Sequence, residues 1–304
     1  MLESEEAEST CKIELSVIIP CYNQGKYIIE AISSTEQCVK PIYEIIIVND
    51  GSTEELTLEI LKDLQNKRYK IINQNNQGLA QARNNGIKAA QGNYILALDA
   101  DNKIRTNYII KGVEILNEYP DVGVVYGNSE FFGERHEICE VPDFNIDKLL
   151  LGNYIDACAV FRKQVWSDCN GYDYKMPVQG YEDWDLWLSA VEKGWNFYHI
   201  PEVTFDYRVR SDSMASFCNI PENRQALIYY ICKKHANLYT DKLADVIAAK
   251  DFALLNQQII SGSFHTQLQQ LQQTHQDTEA EVTKLCSQLE QTQTQLEQTQ
   301  TQLE

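Results

Sequence analysis

Between Leu15 and Leu98 the chain alternates short apolar runs with longer segments in which apolar positions recur every three or four residues. The runs Leu15 to Pro20, Glu44 to Asn49, Lys70 to Asn73 and Tyr94 to Leu98 are each bounded by Gly, Asn, Asp or Pro, and predict strands. Between them, Tyr27 to Gln37, Glu54 to Gln65 and Leu79 to Gln91 carry helical spacing; in the last, Leu79, Ala82, Gly86, Ala89 and Ala90 fall close to one stripe. Strand and helix alternating at this short repeat predict an α/β fold, a parallel sheet with helices on both faces. Such sheets bind ligands beyond the carboxyl ends of their strands.

After Asp101 the regularity loosens. Val122 to Tyr126, Ala157 to Arg162 and Phe197 to Ile200 read as later strands, and Asp183 to Lys193 as a helix. From about Pro221 to Ile260 the pattern is mostly helical, and Ser261-Gly262-Ser263 reads as a break. Beyond it, an apolar, Thr or His position recurs at alternating spacings of four and three, from Phe264, Leu268 and Leu271 through His275 and Thr278 to Leu303. That is a heptad register. Its last stretch repeats Leu-Glu-Gln-Thr-Gln-Thr-Gln, and threonines on the seam make a weak zipper, as compatible with fraying in isolation as with a coiled coil. The expected organisation is a disordered acidic N-terminus over residues 1–11, a catalytic-type α/β domain over 12–218, helices over 219–262 and a coiled-coil or low-complexity tail over 263–304.

With 304 residues and 43% hydrophobic content the chain can bury a sizeable core. Its formal net charge of -18 argues against nucleic acid as a partner, which needs a basic footprint. The opening residues MLESEEAESTCK lack the basic-then-apolar order of a signal peptide, and no apolar stretch approaches the roughly 20 residues that span a bilayer. A cytoplasmic protein without a transmembrane segment is expected, with peripheral contact at the inner face of a membrane left open. The 9 cysteines include no CxxC pair, which reads as free thiols and makes a zinc site unexpected.

The chemistry concentrates in Tyr94-Ile95-Leu96-Ala97-Leu98-Asp99-Ala100-Asp101-Asn102, where an apolar run ends in two carboxylates. In extended backbone, residues two apart project to one face, so Asp99 and Asp101 can converge on one ligand. Paired hard oxygens suit a Mn²⁺ or Mg²⁺ ion that completes its shell with water and substrate phosphate. Alone, the pair reads equally well as acids that solubilise a turn. The first turn, Pro20-Cys21-Tyr22-Asn23-Gln24-Gly25, matches neither the dinucleotide glycine fingerprint nor a Walker loop.

Four further stretches decide between these readings. Val17-Ile18-Ile19-Pro20-Cys21-Tyr22-Asn23, Ile46-Ile47-Val48-Asn49-Asp50-Gly51-Ser52-Thr53, Gly78-Leu79-Ala80-Gln81-Ala82-Arg83-Asn84-Asn85-Gly86 and Gly180-Tyr181-Glu182-Asp183-Trp184-Asp185-Leu186-Trp187-Leu188, taken with Leu98-Asp99-Ala100-Asp101, resemble the inverting family 2 glycosyltransferases of the GT-A fold that build bacterial polysaccharides. The resemblance covers about residues 12 to 215. It implies a Rossmann-like, mostly parallel sheet and transfer of a sugar from a nucleoside-diphosphate donor, a UDP-sugar by resemblance, to a hydroxyl of a glycan, lipid-linked glycan or protein.

By the same resemblance, Asp50 and Arg83 contact the base, Pro20 and Tyr22 cradle the nucleoside, Asp99 reaches the ribose, and Asp101 ligates the metal that bridges the diphosphate. Asp183 matches the general base of inverting members, with Glu182 and Trp184 on the acceptor side; Trp187 is expected in the core. Each has a plainer reading: Asp50 as an Asp-Gly turn former, Arg83 as a solvated helix charge, and the acids at 182, 183 and 185 as complements of a helix dipole. Arg210 in Asp206-Tyr207-Arg208-Val209-Arg210 stands where many members carry a histidine. It could pair with phosphate or lie solvated on the surface. A different class of function is a GT-A-like body without activity, recruiting partners or a second copy of itself through the tail.

Overall fold

The computed structural model describes residues 12–303, so the acidic stretch over 1–11 lies outside the described residues. The first half follows the expected alternation: β1 (Leu15–Cys21), α1 (Gly25–Glu36), β2 (Tyr43–Asp50), α2 (Glu55–Asn66), β3 (Lys70–Gln74), α3 (Leu79–Ala89) and β4 (Tyr94–Ala97). β1 is buried along its whole length, as a central strand covered by helices on both faces must be. Gly86 sets the distance of α3 from it, because a Cβ there would lie 2.4 Å from Ile18 Cγ2. On the opposite face, Ile28 and Ile32 of α1 close over Val17, Ile19 and Leu96.

The second half runs β5 (Lys103–Ile104), α4 (Thr106–Glu118), β6 (Val122–Gly133), β7 (Glu137–Cys139), α5 (Ile146–Leu151), β8 (Val160–Arg162), α6 (Lys163–Asp168), α7 (Glu182–Glu192), β9 (Asn196–Val209), α8 (Met214–Cys218), α9 (Pro221–Lys234), α10 (Ala236–Asp241) and α11 (Leu243–Leu303). The sheet order is β3-β2-β1-β4-β8-β6-β9-β5, with β7 added to β6. β3, β2, β1 and β4 are parallel, but β8 runs antiparallel to both β4 and β6. The expected mostly parallel sheet is therefore mixed, an α/β fold in which a parallel half meets an irregular one.

β9 runs far beyond the expected Phe197 to Ile200. Pro201 and Glu202 break its apolar pattern, and its register with β6 shifts between Gly127 and Asn128, a bulge that hides a single strand from a period-two reading. α4, unmarked in the sequence reading, buries Tyr108, Ile109, Gly112, Val113 and Leu116, a helical stripe with glycine in its middle.

The chain divides after Leu243 into two compact units. The second consists of α11, which passes through Ser261-Gly262-Ser263 without the expected break. One glycine in a helix interior costs about 1 kcal/mol, too little to end a helix flanked by good helix formers. Its seam residues Phe264, Leu268, Leu271, Val282, Leu285, Leu289 and Leu296 are exposed. Among the described residues no helix is long and apolar enough to cross a membrane.

Candidate active site

The carboxyl ends of β1, β2 and β4 open into a cleft of about 320 Å³, closed on its far side by the end of β9 and the segment leading to α8. Pro20, Tyr22, Asp50, Asp99, Asp101 and Arg210 all line it. Six residues expected from the sequence to meet the donor thus share one cavity. Tyr22 is 47% exposed and offers its ring to that space.

Asp50, 3% exposed, ends β2 just before Gly51, whose φ of +73° is a left-handed conformation that glycine adopts without a steric penalty. Its carboxylate accepts from the backbone N–H groups of Gln77 and Gly78, each at 2.8 Å, and from Gln74 Nε2 at 2.8 Å. Asp50 thus clamps the loop that enters α3 while its edge faces the cleft. Turn formation and a place in the cavity wall are both present in this one residue.

The Asp99–Asp101 turn is fixed from β9. Arg208 donates its backbone N–H to Asn102 Oδ1 at 2.9 Å and its Nε–H to the Asp101 carbonyl at 3.0 Å, and its guanidinium stacks over Tyr27 and Phe132. Arg210 Nη2 lies 3.2 Å from Asp101 Oδ2, and only 17% of its side chain is exposed. Its Nε is buried without a hydrogen-bond partner. That Nε also lies 3.6 Å from Asp212 Oδ1 and the guanidinium sits over the Tyr27 ring, so Arg210 is held among carboxylates at the cleft and is not a freely solvated surface charge. Burial, and then the charge of Asp99, push the Asp101 carboxyl up to about 6.

Arg83 is 1% exposed and lies behind the cleft. Its Nη2 donates to Asp99 Oδ1 at 2.6 Å and its Nη1 to Glu182 Oε1 at 2.7 Å. It is therefore no solvated helix charge. Both arms of its fork are committed to protein carboxylates, and the residue does not line the cavity.

The first turn of α7 holds three acids, which the helix dipole favours, but each points to different chemistry. Glu182 turns inward to Arg83 and accepts from the Gly180 N–H at 2.8 Å. Asp185, 1% exposed, accepts from Lys234 Nζ at 2.8 Å and approaches His235 Nε2 at 3.0 Å. Asp183 remains, accepting from the Trp184 N–H at 2.7 Å and from Asn153 Nδ2 at 2.9 Å. Its carboxyl is raised well above the usual range by burial, then by the negative charges of Glu182 and Asp156.

Two expectations at this helix require correction. Glu182 and Trp184 are 3% and 2% exposed, and the Trp184 indole donates to the Leu149 carbonyl at 2.8 Å, so neither presents a face to an acceptor. Trp187 is core as expected, at 0% exposure, with its indole N–H on the Ile155 carbonyl.

The sequence reading missed Asp156. It lies just before β8, close enough to the turn that the charges of both Asp99 and Asp101 act on it. Its Oδ1 accepts from the Cys158 N–H at 2.8 Å, and burial followed by the charge of Asp99 pushes its carboxyl up to about 6. Nothing in Ile155-Asp156-Ala157 marks this position, which becomes visible only once β8 lies beside β4. The Tyr207 phenol lines the cleft and is held in its neutral form by burial and by Asp156, Asp99, Asp101 and Asp183.

Among the described residues no cluster of three or more His, Cys, Asp or Glu side chains could hold a metal by itself. The donors on offer are the two aspartates of the turn, hard oxygens in a partly desolvated site whose negative charge a divalent cation would offset. They fit an ion that takes its remaining ligands from water and phosphate.

A family model described as "Glycosyl transferase family 2" matches residues 16–168, about half of the chain. Glycosyltransferase GlyG of Streptococcus pneumoniae serotype 4 is 39% identical over 147 residues, covering 45% of this chain and 47% of that protein. A putative teichuronic acid biosynthesis glycosyltransferase of Bacillus subtilis, TuaG, is 27% identical over 208 residues, 66% of this chain and 81% of that protein. Several other curated relatives are longer, and the chain spans less than half of their length. Among solved structures, TarS 1-349 of S. aureus in complex with UDP-GlcNAc superposes with a TM-score of 0.61 at 20% identity, over 74% of this chain and 66% of that one.

Proposed function

Because this chain belongs to glycosyl transferase family 2 and has a GT-A-like α/β fold, we propose that it is a metal-dependent, inverting glycosyltransferase that moves a sugar from a UDP-type donor to a hydroxyl of a glycan, lipid-linked glycan or protein. The observation that carries the reading is the pairing of the Asp99–Asp101 turn and Arg210 in one cleft with a separate carboxylate, Asp183, in the first turn of α7, which unlike Glu182 and Asp185 is tied up by no basic side chain among the described residues.

Pro20, Tyr22 and Asp50 hold the nucleoside at the ends of β1 and β2, and Asp99 meets the ribose. Asp101 is the protein's ligand for Mn²⁺ or Mg²⁺, which when bound supplies positive charge against the leaving diphosphate. Arg210, which pairs with Asp101 in the same cleft, adds positive charge for that diphosphate. Arg83 serves from behind, holding Asp99 and Glu182 in one frame. Asp183 accepts the proton of the acceptor hydroxyl as its oxygen attacks the anomeric carbon opposite the diphosphate. Because the diphosphate already leaves readily, no second catalytic carboxylate of the glycosidase kind is needed.

Calorimetric titration tests the donor site. UDP is expected to bind the wild type in the presence of Mn²⁺, and Asp101→Asn to weaken that binding at least tenfold while leaving metal-free binding unchanged. Equal affinity in the two proteins would remove Asp101 from the metal site. Absence of nucleotide binding in the wild type would favour an assembly module without activity.

The exposed heptad seam of α11 is assigned to self-association, with the second unit joining copies of the chain and the first performing the chemistry. Deleting residues 263–304 is expected to lower the sedimenting mass to that of a smaller oligomer or monomer without changing nucleotide affinity. An unchanged association number would discard this role.

A further inference from the structure

The segment from the end of α5 to the turn before β8 is fastened to α7 at two points. Trp184 Nε1 donates to the Leu149 carbonyl at 2.8 Å and Trp187 Nε1 to the Ile155 carbonyl at 2.9 Å. Both indoles are buried, so these bonds are shielded from water. Between the two anchors sits Asn153, whose Oδ1 accepts from the Ile155 N–H at 3.1 Å, a local turn that fixes the direction of the amide. Its Nδ2 is thereby left to donate to Asp183 Oδ2 at 2.9 Å.

We propose that Asn153 is a positioning residue for the general base, its amide donor fixing the orientation of the Asp183 carboxylate and favouring the ionised form. This rests on the reading of Asp183 as the base. The Trp184 N–H occupies Oδ1 of Asp183, and the Asn153 amide supplies a donor to Oδ2. Glu182 from α7 and Asp156 from the turn before β8 add negative charge to the effect of burial, and Arg83 from α3 opposes them. Tyr172 and Tyr181 from the stretch before α7, Tyr207 from β9 and Cys218 from α8 complete the titratable surroundings. Arg83 has both arms of its guanidinium engaged elsewhere. The amide of Asn153 is the side-chain donor that reaches the carboxylate directly.

A hydrogen bond to the charged form lowers a carboxyl pKa, so its removal raises it. The test uses the full chain as Asn153→Ala and Asn153→Asp. Asn153→Asp keeps the oxygen that accepts from Ile155 and so preserves the turn while replacing the donor by a like charge. Carboxyl ¹³C resonances are followed against pH, with Asp183→Asn identifying the Asp183 signal. The Asp183 midpoint is expected to rise by about half a unit in Asn153→Ala, because water screens part of this exposed hydrogen bond, and further in Asn153→Asp. An unchanged midpoint in both overturns the proposal.

UDP release from UDP-GlcNAc, with the sugar passing to water as the acceptor whose proton Asp183 takes, provides a second readout. The acidic limb of kcat should move upward with the midpoint while the KM for the donor holds, and a uniform loss of rate at every pH would also overturn the role. Failure of the transferase reading would appear elsewhere, as absent Mn²⁺-dependent UDP binding in the wild type, with the midpoint shift still measurable.

Discussion

Asp183→Asn is expected to lower sugar transfer by roughly 10²–10⁴-fold, the contribution of one positioned general base, and to leave UDP affinity within about twofold. The argument is geometric. Asp183 begins α7, outside the cavity that holds Asp50, Asp99 and Asp101, and its contacts are the Trp184 N–H and the Asn153 amide. An asparagine has the same shape and its Oδ1 can still accept from Trp184, so the helix start survives. What disappears is the capacity to take a proton. Loss of turnover with intact nucleotide binding is the signature of an interaction made only as the reaction proceeds. Separate measurement of kcat and of UDP dissociation checks both halves, and a variant that retains full transfer would remove Asp183 from the mechanism.

Arg83→Met should have the largest effect on stability. The guanidinium is buried between Asp99 and Glu182, whose side chains are 30% and 4% exposed. Methionine fills much of the volume but leaves two carboxylates facing each other without their cation. Removing one partner from a buried ion pair costs about 3–5 kcal/mol, and the partial exposure of Asp99 places this case near the lower end. For a unit of this size, about 3 kcal/mol corresponds to a melting temperature lower by roughly 10 °C. Arg83→Lys should recover only part, since an ammonium cannot span both carboxylates as a planar fork does. A thermal melt within a degree or two of the wild type would show that the pairs contribute little.

The legible part of the molecule is the part whose hydrophobic pattern is local. β1 to β4 and the three helices between them appear within a few residues of their expected bounds, because β1, β2 and β4 read as apolar runs, the edge strand β3 is bounded by polar turn residues, and each helix carries its own stripe. Beyond Asp101, partners come from distant segments. β8 falls inside the expected Ala157 to Arg162, but only the last three of those residues pair, and their antiparallel direction between β4 and β6 is not written in their own composition.

Within the site, motif spacing found Asp50, Asp99, Asp101 and Arg210, which do share a cavity. It placed Trp184 at an acceptor surface because an indole suits a sugar face. In the fold that indole is buried and anchors a neighbouring segment. Asp156 and Asn153 had no local signal at all. Their surroundings are assembled by α7 and β4, elements separated from each other along the chain. The matched family region likewise ends at residue 168, before Asp183, Arg208 and Arg210.

Arg208 sits at the carboxyl end of β9, yet it binds the Asp101 carbonyl and the Asn102 side chain, reaches Glu30 on α1 and lies against Tyr27. The turn that carries Asp99 and Asp101 is therefore made early in the chain and set in place by a residue that emerges from the ribosome more than a hundred positions later. During synthesis the first four strands can pair and bury their apolar faces while this turn is still unbraced. The brace of this turn thus arrives with the last strand of the sheet, and a nascent chain stalled before β9 carries the sheet's parallel half with its cleft unfinished.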